Sequence, residues 1–344
     1  MLIAVTLLMI IVSCGGGINN TEDTNHERPV VIGYLPGWKM PYTPQWNPQW
    51  EKATHLCLAF GVANPDGSLR LTNISKFAGS IIDTAHNNKI KVLLSVGGGD
   101  ASGFTEVILN RDKRKTLTDD IIKTIGELNL DGVDIDFEEW VGSPEGANEE
   151  DLLKRDALES LYKELREKAG DEKLITAAVS ASWDDGSSSW GFYNCYSSTM
   201  FRYLDFVSLM LYDETGPWTK TRIGQHSTWD YFTNSINYWL NVKKLPKEKL
   251  VAGVPFYGFL FKSDDTGEGA EYVEYRDILN NFPNQDAHVK DNIGLLYYNG
   301  MQTIHRKANY ILDNNLAGIM IWELTQDTDT ADKSLLNVIY ETLK

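Results

Sequence analysis

The chain has 344 residues, of which 42% are hydrophobic, and its formal net charge is −16 at pH 7. This length and apolar content suffice for one large α/β domain or for two smaller domains. The sequence has no run of basic residues, which argues against a nucleic-acid partner because phosphate neutralisation needs clustered Lys and Arg. The 10 Trp and 16 Tyr residues instead predict a neutral or cationic substrate whose surfaces stack on aromatic rings.

The first residues of the chain predict export. Residues 1–13 are uncharged and mostly apolar, a run too short to span a membrane and typical of the hydrophobic region of a signal peptide. Residues Ile11–Gly15 resemble a bacterial lipoprotein signal, which implies that Cys14 becomes the lipidated first residue after cleavage. An ordinary secretory signal that contains a Cys is the alternative. The polar, Gly-rich residues 14–28 are predicted to form a flexible tether. We therefore expect lipid anchoring in the bacterial cell envelope, at the outer membrane or cell surface, or otherwise secretion.

Eight short apolar runs alternate with longer stretches that have helical periodicity. The predicted strands are Pro29–Pro36, His55–Phe60, Lys91–Val96, Leu130–Trp140, Leu174–Ser180, Leu204–Tyr212, Leu250–Phe256 and Leu316–Trp322. The predicted helices include Ile74–His86, Arg111–Leu128, Glu150–Ala169, Thr228–Leu240 and Met301–Asn314. Apolar strands joined by helical crossovers predict an α/β fold, a parallel (β/α)₈ (TIM) barrel that occupies residues 29–344 as one domain. A doubly wound open sheet is the alternative, but no G-x-G-x-x-G motif follows the first strand.

The cysteine content predicts neither a disulfide framework nor a zinc site, since only three Cys are present. Once Cys14 is assigned to the lipoprotein signal, Cys57 and Cys195 remain, and they could form one disulfide. Because Cys57 lies in an apolar predicted strand, a buried free thiol is the commoner outcome. No cofactor and no metal ion are predicted.

Three acidic residues lie on the fourth predicted strand at positions i, i+2 and i+4: Asp134, Asp136 and Glu138. On a strand this spacing directs all three carboxyl groups to one face and the intervening apolar residues to the other. Stacked like charges repel, so the arrangement favours a site where carboxyl pKa values are pushed apart. Taken alone, the three acids also fit a solvated strand face, a metal site or a glycosidase that uses two carboxylates.

Polar and aromatic residues follow several other predicted strands at the point where each strand ends. These residues are Tyr34 and Trp38, Ser95–Gly98, Glu138–Trp140, Met210–Asp213, and Trp322 with Glu323. In a parallel barrel all these ends lie on one face, which is the usual place of an active site.

These motifs resemble those of family 18 glycoside hydrolases, the chitinase family. Residues Asp131–Glu138 match the D-x-x-D-x-D-x-E signature, Ser95–Gly98 match S-x-G-G, and Met210–Asp213 match M-x-Y-D. Trp322 corresponds to the Trp that floors the central sugar subsite, and Tyr257 is also typical of the family. The resemblance extends from residue 29 to about residue 330 and implies a family 18 catalytic domain.

The resemblance implies a retaining reaction in which the 2-acetamido oxygen of the substrate attacks the anomeric carbon. Glu138 would then be the general acid and later the base for water. Asp136 would share a hydrogen bond with Glu138 or turn to the acetamido N–H, and Asp134 would influence the charge and position of Asp136. Tyr212 would donate its hydroxyl to the acetamido carbonyl.

Further residues are expected to bind the sugar or to support the site. Asp213 would contact the sugar or its acetamido group, and Trp322 would lie under the sugar ring. The other substrate-binding candidates are Met210, Tyr34, Trp38, Trp140, Trp183, Trp218 and Tyr257. The residues expected to have a structural role in the motifs are Asp131, Gly132, Ser95, Gly97 and Gly98. Glu139 would point away from Glu138 and lie at the surface.

The segment between the seventh and eighth predicted strands is short for this family. Residues 259–315 separate the two strands, and Met301–Asn314 already account for the barrel helix. A reduced insertion and a shallow cleft are therefore expected, which favours endo-type cleavage or action on short soluble oligomers.

Three functions fit these residues. The first is a chitinase that hydrolyses β-1,4 bonds between N-acetylglucosamine units. The second is an endo-β-N-acetylglucosaminidase that cuts the chitobiose core of N-glycans, and the third is an inactive sugar-binding lectin with the same fold. The expected partners are chitin or a related oligosaccharide, and a membrane only through the lipid anchor; the protein is expected to be a monomer.

Overall fold

The structure is a computed structural model that describes residues 28–40, 49–71, 74–99, 101–139, 149–181 and 196–344. The predicted signal peptide, the lipidation residue Cys14 and nearly all of the tether lie outside these residues and stay predictions. Trp140, Trp183 and Cys195 also lie outside them. No helix in the described part of the chain is both long and apolar enough to cross a membrane.

The described residues contain strands in two sheets. The strands are β1 (Val30–Pro36), β2 (His55–Ala63), β3 (Leu69–Leu71), β4 (Lys91–Gly97), β5 (Gly132–Asp136), β6 (Leu174–Ser180), β7 (Phe206–Met210), β8 (Leu250–Pro255), β9 (Tyr257–Leu260), β10 (Glu271–Glu274), β11 (Asn292–Ile293), β12 (Leu296–Tyr298) and β13 (Gly318–Trp322). The helices are α1 (Ile74–Asn87), α2 (Phe104–Leu109), α3 (Arg111–Glu127), α4 (Glu149–Ala169), α5 (Trp229–Asn241), α6 (Tyr275–Asn281), α7 (Met301–Asn314) and α8 (Leu335–Leu343).

Eight parallel strands close into a barrel, which confirms the predicted (β/α)₈ fold. The order around the sheet is β1-β13-β8-β7-β6-β5-β4-β2, and β1 also pairs with β2. Each barrel strand falls on one of the eight apolar runs because a strand covered on both faces must be apolar along its whole length. The closed barrel brings the carboxyl ends of all eight strands to one face.

Side chains of alternate residues form two apolar layers. Residues such as Val133 and Ile135 of β5 point outward and pack in the layer between the barrel and its helices. Residues such as Ile32 of β1, Leu93 of β4 and Met320 of β13 fill the barrel interior. The inward positions of β5 are Asp134 and Asp136, so the carboxyl groups lie inside the barrel.

The second predicted strand is longer than the sequence pattern indicated. The prediction ended it at Phe60, whereas β2 continues to Ala63 and pairs with β3 as an antiparallel hairpin. The connection contains Asn64-Pro65-Asp66-Gly67, a strong turn sequence. This hairpin raises a wall beside the carboxyl ends of the barrel strands.

The predicted short insertion between the last two barrel strands is a small sheet. Strands β10, β9, β12 and β11 lie side by side in that order, and α6 follows β10. The chain then continues into α7 with the predicted bounds Met301–Asn314. Because β9 starts directly after β8, the insertion stands at the same face of the barrel as the strand ends.

Candidate active site

Asp134 is the deepest of the three acids and is held by three hydroxyl groups. It is 1% exposed, and it accepts hydrogen bonds from Tyr34 (2.7 Å), Ser95 (2.8 Å) and Thr176 (2.6 Å). Burial raises the pKa of the Asp134 carboxyl, and the three hydrogen bonds oppose that shift. Hydroxyl donors from three other barrel strands therefore fix this side chain and stabilise its ionised form.

Asp136 lies one pleat closer to the cavity and is 3% exposed. Its pKa is raised well above the ordinary range, first by burial and then by the negative charges of Glu138 and Asp134. The Oδ1 atom of Asp136 is buried without a hydrogen-bond partner in the described part of the chain. The site therefore favours a protonated Asp136 beside the more exposed Glu138.

Glu138 follows the end of β5 and lines a cavity of about 600 Å³. The cavity is also lined by Tyr34, Trp38, Phe60, Val62, Arg70, Gly97, Gly99, Ala101, Asp136, Ala178, Met210, Tyr212, Asp213, Tyr257, Met320 and Trp322. Two of the three predicted acids thus meet Met210, Tyr212, Asp213, Tyr257 and Trp322 in one cavity, and Asp134 lies deeper. A cavity of this size accommodates one or two sugar rings with apolar walls and a few polar groups.

Two glycines at the end of β4, Gly97 as its last residue and Gly98 directly after it, allow the backbone to approach β5 and Phe60. Gly97 has φ +121°, and a Cβ atom there would lie 1.9 Å from the Asp136 carbonyl oxygen. Gly98 has φ +93°, and its Cβ would meet the Phe60 ring at 2.5 Å. The N–H of Gly98 donates to the Asp136 carbonyl at 2.8 Å. The S-x-G-G motif therefore holds the end of β4 against the backbone of β5 beside Asp136.

Asp131 and Gly132 lie at the opposite end of β5, away from the cavity. The Asp131 carboxylate accepts a hydrogen bond from Val92 N–H (2.7 Å) and lies 2.9 Å from His86 Nε2. A Cβ atom on Gly132 would lie 2.1 Å from the Leu174 carbonyl oxygen. Asp131 and Gly132 therefore contact the neighbouring strands of the barrel. Neither residue is among the described residues that line the cavity.

The segment after β7 presents Tyr212 and Asp213 to the cavity. Tyr212 is buried, and its hydroxyl lies 3.7 Å from the Met320 sulfur. Burial and then the negative charge of Asp136 raise the pKa of the Tyr212 hydroxyl, so it keeps its proton and is a donor. Asp213 has φ +66°, and its Oδ1 atom accepts the Tyr257 hydroxyl at 2.5 Å.

The aromatic floor of the cavity is larger than the sequence indicated. Phe60 stacks on Trp322 with a centroid distance of 5.9 Å and an interplanar angle of 15°. Trp38 stacks on Phe60 at 6.0 Å and is 57% exposed. These three rings give a continuous apolar surface for the C–H faces of sugars. Phe60 was missed because the second strand was predicted to end there.

Two predicted substrate-binding aromatics have other surroundings. Tyr34 is 1% exposed and donates to Asp134, so its position is that of a support for the acid rather than of a sugar-stacking ring. It points inward because it lies two residues after Ile32 on β1, and side chains at that spacing point to the same face of a strand. Trp218 is 40% exposed and lies edge-on against Phe259 at 5.6 Å. It is not part of the described cavity wall, and substrate contact there stays a prediction.

Glu139 caps a helix rather than lying free at the surface, so that expectation was wrong. Its carboxylate accepts hydrogen bonds from the backbone N–H groups of Phe104 (3.0 Å) and Thr105 (2.5 Å). These are the first residues of α2, whose unpaired N–H groups need such an acceptor. Adjacent acids in the sequence thus have different surroundings, since Glu138 faces the cavity.

Lys39 connects three segments around the cavity and was also missed. Its ammonium lies 2.6 Å from Glu274 of the insertion and 2.6 Å from Glu323, which follows Trp322. It also donates to Thr325 at 3.1 Å. Burial raises the pKa of Glu323, and the Lys39 charge is the largest opposing influence. Sequence offers no sign of this cluster because its members are far apart along the chain.

We expect Lys39→Met to lower the free energy of unfolding by about 2 kcal/mol, because Glu323 is left buried without its cation. The loss should be greatest at neutral and alkaline pH. It should shrink on acidification, because a carboxyl with a raised folded-state pKa binds a proton more readily in the folded protein. Urea titrations between pH 5 and pH 8 measure this. Lys115→Met, which removes a fully exposed ion pair, is the control and should leave the unfolding midpoint unchanged. Equal effects of the two variants would contradict the assignment.

Comparison with known proteins identifies the family. The family described as glycosyl hydrolases family 18 matches residues 30–327. The chain belongs to glycosyl hydrolase family 18. A chitinase from Bacteroides thetaiotaomicron of known crystal structure has 31% sequence identity and a TM-score of 0.78, with 92% of this chain and 96% of that chain covered. The family 18 chitinase ChiB from the chitin utilization locus of Flavobacterium johnsoniae has 29% identity and a TM-score of 0.76, with 92% and 94% covered.

Sequence relatives of this family 18 chain include plant and fungal proteins. A class V chitinase of Lotus japonicus is 25% identical over 370 residues, which cover 95% of this chain and 91% of the relative. A chitinase-like effector of Moniliophthora perniciosa is 26% identical over 298 residues, which cover 80% of this chain and 66% of the effector. The chain therefore spans just under two thirds of that effector's length.

Within the described residues of this family 18 domain, no group of three or more His, Cys, Asp and Glu side chains is placed to hold a metal ion. Cys57 is a buried thiol in the barrel interior, and its predicted alternative partner lies outside the described residues.

Proposed function

We propose that this family 18 protein is a chitinase, a retaining hydrolase of β-1,4 bonds between N-acetylglucosamine units that acts through the 2-acetamido group of its substrate. The observation that carries the proposal is the position of Asp134 and Asp136 on β5 and of Glu138 directly after it, with Tyr212 lining the same cavity as Asp136 and Glu138. A double displacement by two protein carboxylates needs an acid and a nucleophile on opposite sides of the scissile bond. Here Asp136 lies behind Glu138, on the same side.

The remaining carboxylate in the described cavity wall is Asp213, which follows β7. It accepts the Tyr257 hydroxyl at 2.5 Å. A carboxylate with such a strong hydrogen bond is a weak nucleophile, because the donor stabilises its negative charge. Attack by the substrate's own acetamido oxygen removes the need for a protein nucleophile and leaves Asp213 to bind the sugar.

The proposed reaction leaves the proton of Glu138 on the departing sugar and restores it from water. Glu138 protonates the glycosidic oxygen as the acetamido oxygen attacks the anomeric carbon and the bond to the leaving sugar breaks. Tyr212 donates to the acetamido oxygen and orients it, and Asp136 turns from Glu138 to the acetamido N–H as positive charge develops there. The Glu138 carboxylate then takes a proton from water, which opens the cyclic intermediate with net retention.

The similarity to the two bacterial chitinases of known structure supports this substrate. The adjoining rings of Trp322, Phe60 and Trp38 offer an apolar surface that suits stacking of the C–H faces of N-acetylglucosamine units. An endo-β-N-acetylglucosaminidase would use the same acid and acetamido chemistry, so it is the second candidate.

One experiment separates the candidates. The protein is incubated with N-acetylglucosamine oligosaccharides and with an N-glycosylated protein, and the products are identified by mass. A chitinase cleaves the oligosaccharides alone, whereas release of glycans from the glycoprotein supports the second function. Binding without turnover of either substrate indicates a lectin. The product pattern also tests the proposed endo mode, because release of dimers alone, processively and from one chain end, would contradict it.

A further inference from the structure

Lys307 of α7 is a fully buried lysine outside the cavity. It is 0% exposed, and its ammonium donates to the Ser227 carbonyl (2.9 Å), the Ser227 hydroxyl (2.6 Å) and Asn299 Oδ1 (2.7 Å). Each of these acceptors is neutral. Burial lowers the pKa of Lys307 to about 7, and the negative charges of Asp291 and Glu214 oppose the shift. An ammonium in such a place costs stability relative to an apolar side chain, so packing alone does not explain it.

The lysine is connected to the active site through Ser227. The Ser227 hydroxyl accepts from Lys307 and therefore has its single proton free to donate to the Leu211 carbonyl, at 2.6 Å. Leu211 directly precedes Tyr212. The hydrogen bonds thus run in one direction, from the ammonium through the hydroxyl to the peptide that carries the Tyr212 side chain, and each strengthens the next.

Residue His226 supports the same turn beside Ser227. Its carbonyl accepts the Glu214 N–H at 2.9 Å. Its Nε2 atom donates to the Tyr257 carbonyl at 3.1 Å, which leaves Nδ1 to accept the Asp213 N–H at 3.5 Å. Asp213 has the left-handed φ of +66°. A non-glycine residue keeps such a conformation only where its surroundings hold it. Lys307 contributes to these surroundings because it donates to Ser227, the residue after His226.

We propose that Lys307 is a positioning residue for Tyr212, holding the Tyr212–Asp213 turn at the height where the tyrosine hydroxyl meets the acetamido group. The inference rests on the proposed function because Tyr212 acts there on the substrate. Lys307 itself touches neither the cavity nor the substrate. Its effect should therefore appear in kcat and be transmitted only through Tyr212.

The test uses Lys307→Met, Ser227→Ala and a matched control, Lys249→Met. Lys249 is a partly buried lysine that likewise donates to two backbone carbonyls, those of Phe201 (2.8 Å) and Leu204 (2.6 Å). It precedes β8 and lies at the end of the barrel opposite the cavity. Turnover of an N-acetylglucosamine tetramer is measured for each variant, alone and in a Tyr212→Phe background.

We expect Lys307→Met to lower kcat by about 30-fold with a change in KM below about threefold, since a misplacement of about 1 Å is enough for such a loss. Ser227→Ala should lower kcat by about tenfold through the same link. In the Tyr212→Phe background both losses should vanish, because the group that they position is gone. Lys249→Met should keep kcat within about twofold.

Losses that persist unchanged in the Tyr212→Phe background would overturn the proposal, as would a Lys307→Met variant with the kcat of the control. If Lys307→Met fails to fold, the comparison of Ser227→Ala with and without Tyr212→Phe tests the proposal instead, since Ser227→Ala removes one hydroxyl only. If the wild-type protein turns over no oligosaccharide, the proposed function fails. A crystal structure of Lys307→Met then tests the positioning separately, and an unmoved Tyr212–Asp213 turn would refute it.

Discussion

Replacing Glu138 with glutamine is expected to lower kcat on N-acetylglucosamine oligosaccharides by about 10³-fold, the usual contribution of a positioned general acid and base. The amide has nearly the same shape but no proton to give to the leaving oxygen and no charge to activate water. Because Glu138 lines the cavity beside Asp136, the oligosaccharides should still bind. Steady-state kinetics with calorimetric binding measures both effects.

Glu139→Gln is the matched control for this prediction. Glu139 is the next residue, but its carboxylate caps α2 through the Phe104 and Thr105 N–H groups. The control should lose about 1 kcal/mol of stability, as weakened helix caps do, and keep kcat within about threefold. Near-full activity of Glu138→Gln would remove the basis of the mechanism, and a large kcat loss in Glu139→Gln would show that folding, not chemistry, explains both.

Asp136→Asn is expected to lower kcat by about 100-fold, the typical effect of removing one group that stabilises charge in the transition state. The same change should make the folded protein more stable at neutral pH. The pKa of Asp136 is raised well above the ordinary range by burial and by Glu138 and Asp134. Between the pKa of Asp136 in the unfolded chain and its pKa in the folded protein, the folded protein holds a proton that the unfolded chain releases. Wild-type stability therefore falls as the pH rises through that range.

Thermal unfolding of Asp136→Asn and wild type as a function of pH measures the second effect. The variant should match the wild type below about pH 3, where both states bind the proton, and its advantage should grow towards neutral pH. Asp131→Asn is the control from the same motif. Asp131 accepts a backbone hydrogen bond and contacts His86, so its loss should lower stability and leave kcat little changed. An Asp136→Asn variant that is less stable at every pH would contradict the assigned electrostatics.

The fold could be predicted from the sequence because it depends on local patterns. Each barrel strand buries both faces and is apolar throughout, so its position is visible without knowledge of its neighbours. The three acids of the fourth predicted strand were placed on one face by their two-residue spacing alone. Asp134 and Asp136 are indeed inward and buried.

The missed features depend on contacts that a linear pattern does not contain. Tyr34 follows the rule that strand ends carry functional residues, but only its depth in the barrel distinguishes an acid support from a sugar-stacking ring. Lys39 and Lys307 are ordinary helix- and loop-compatible lysines, and their partners Glu323 and Ser227 lie 284 and 80 residues away along the chain. The hairpin that carries Phe60 and Arg70 was also missed, although the Asn64–Gly67 turn sequence is a local signal that indicates it.

The central claim is that the substrate's acetamido group, not a protein carboxylate, attacks the anomeric carbon. The measurement that tests it most directly is kcat/KM for a β-1,4-linked N-acetylglucosamine tetramer beside the tetramers of glucosamine and of glucose with the same linkage. The account predicts turnover of the acetylated tetramer and a kcat/KM lower by at least about 10³-fold for the other two, because the intramolecular nucleophile is missing. A glucose tetramer cleaved within about tenfold of the acetylated one would require a protein nucleophile and contradict the account.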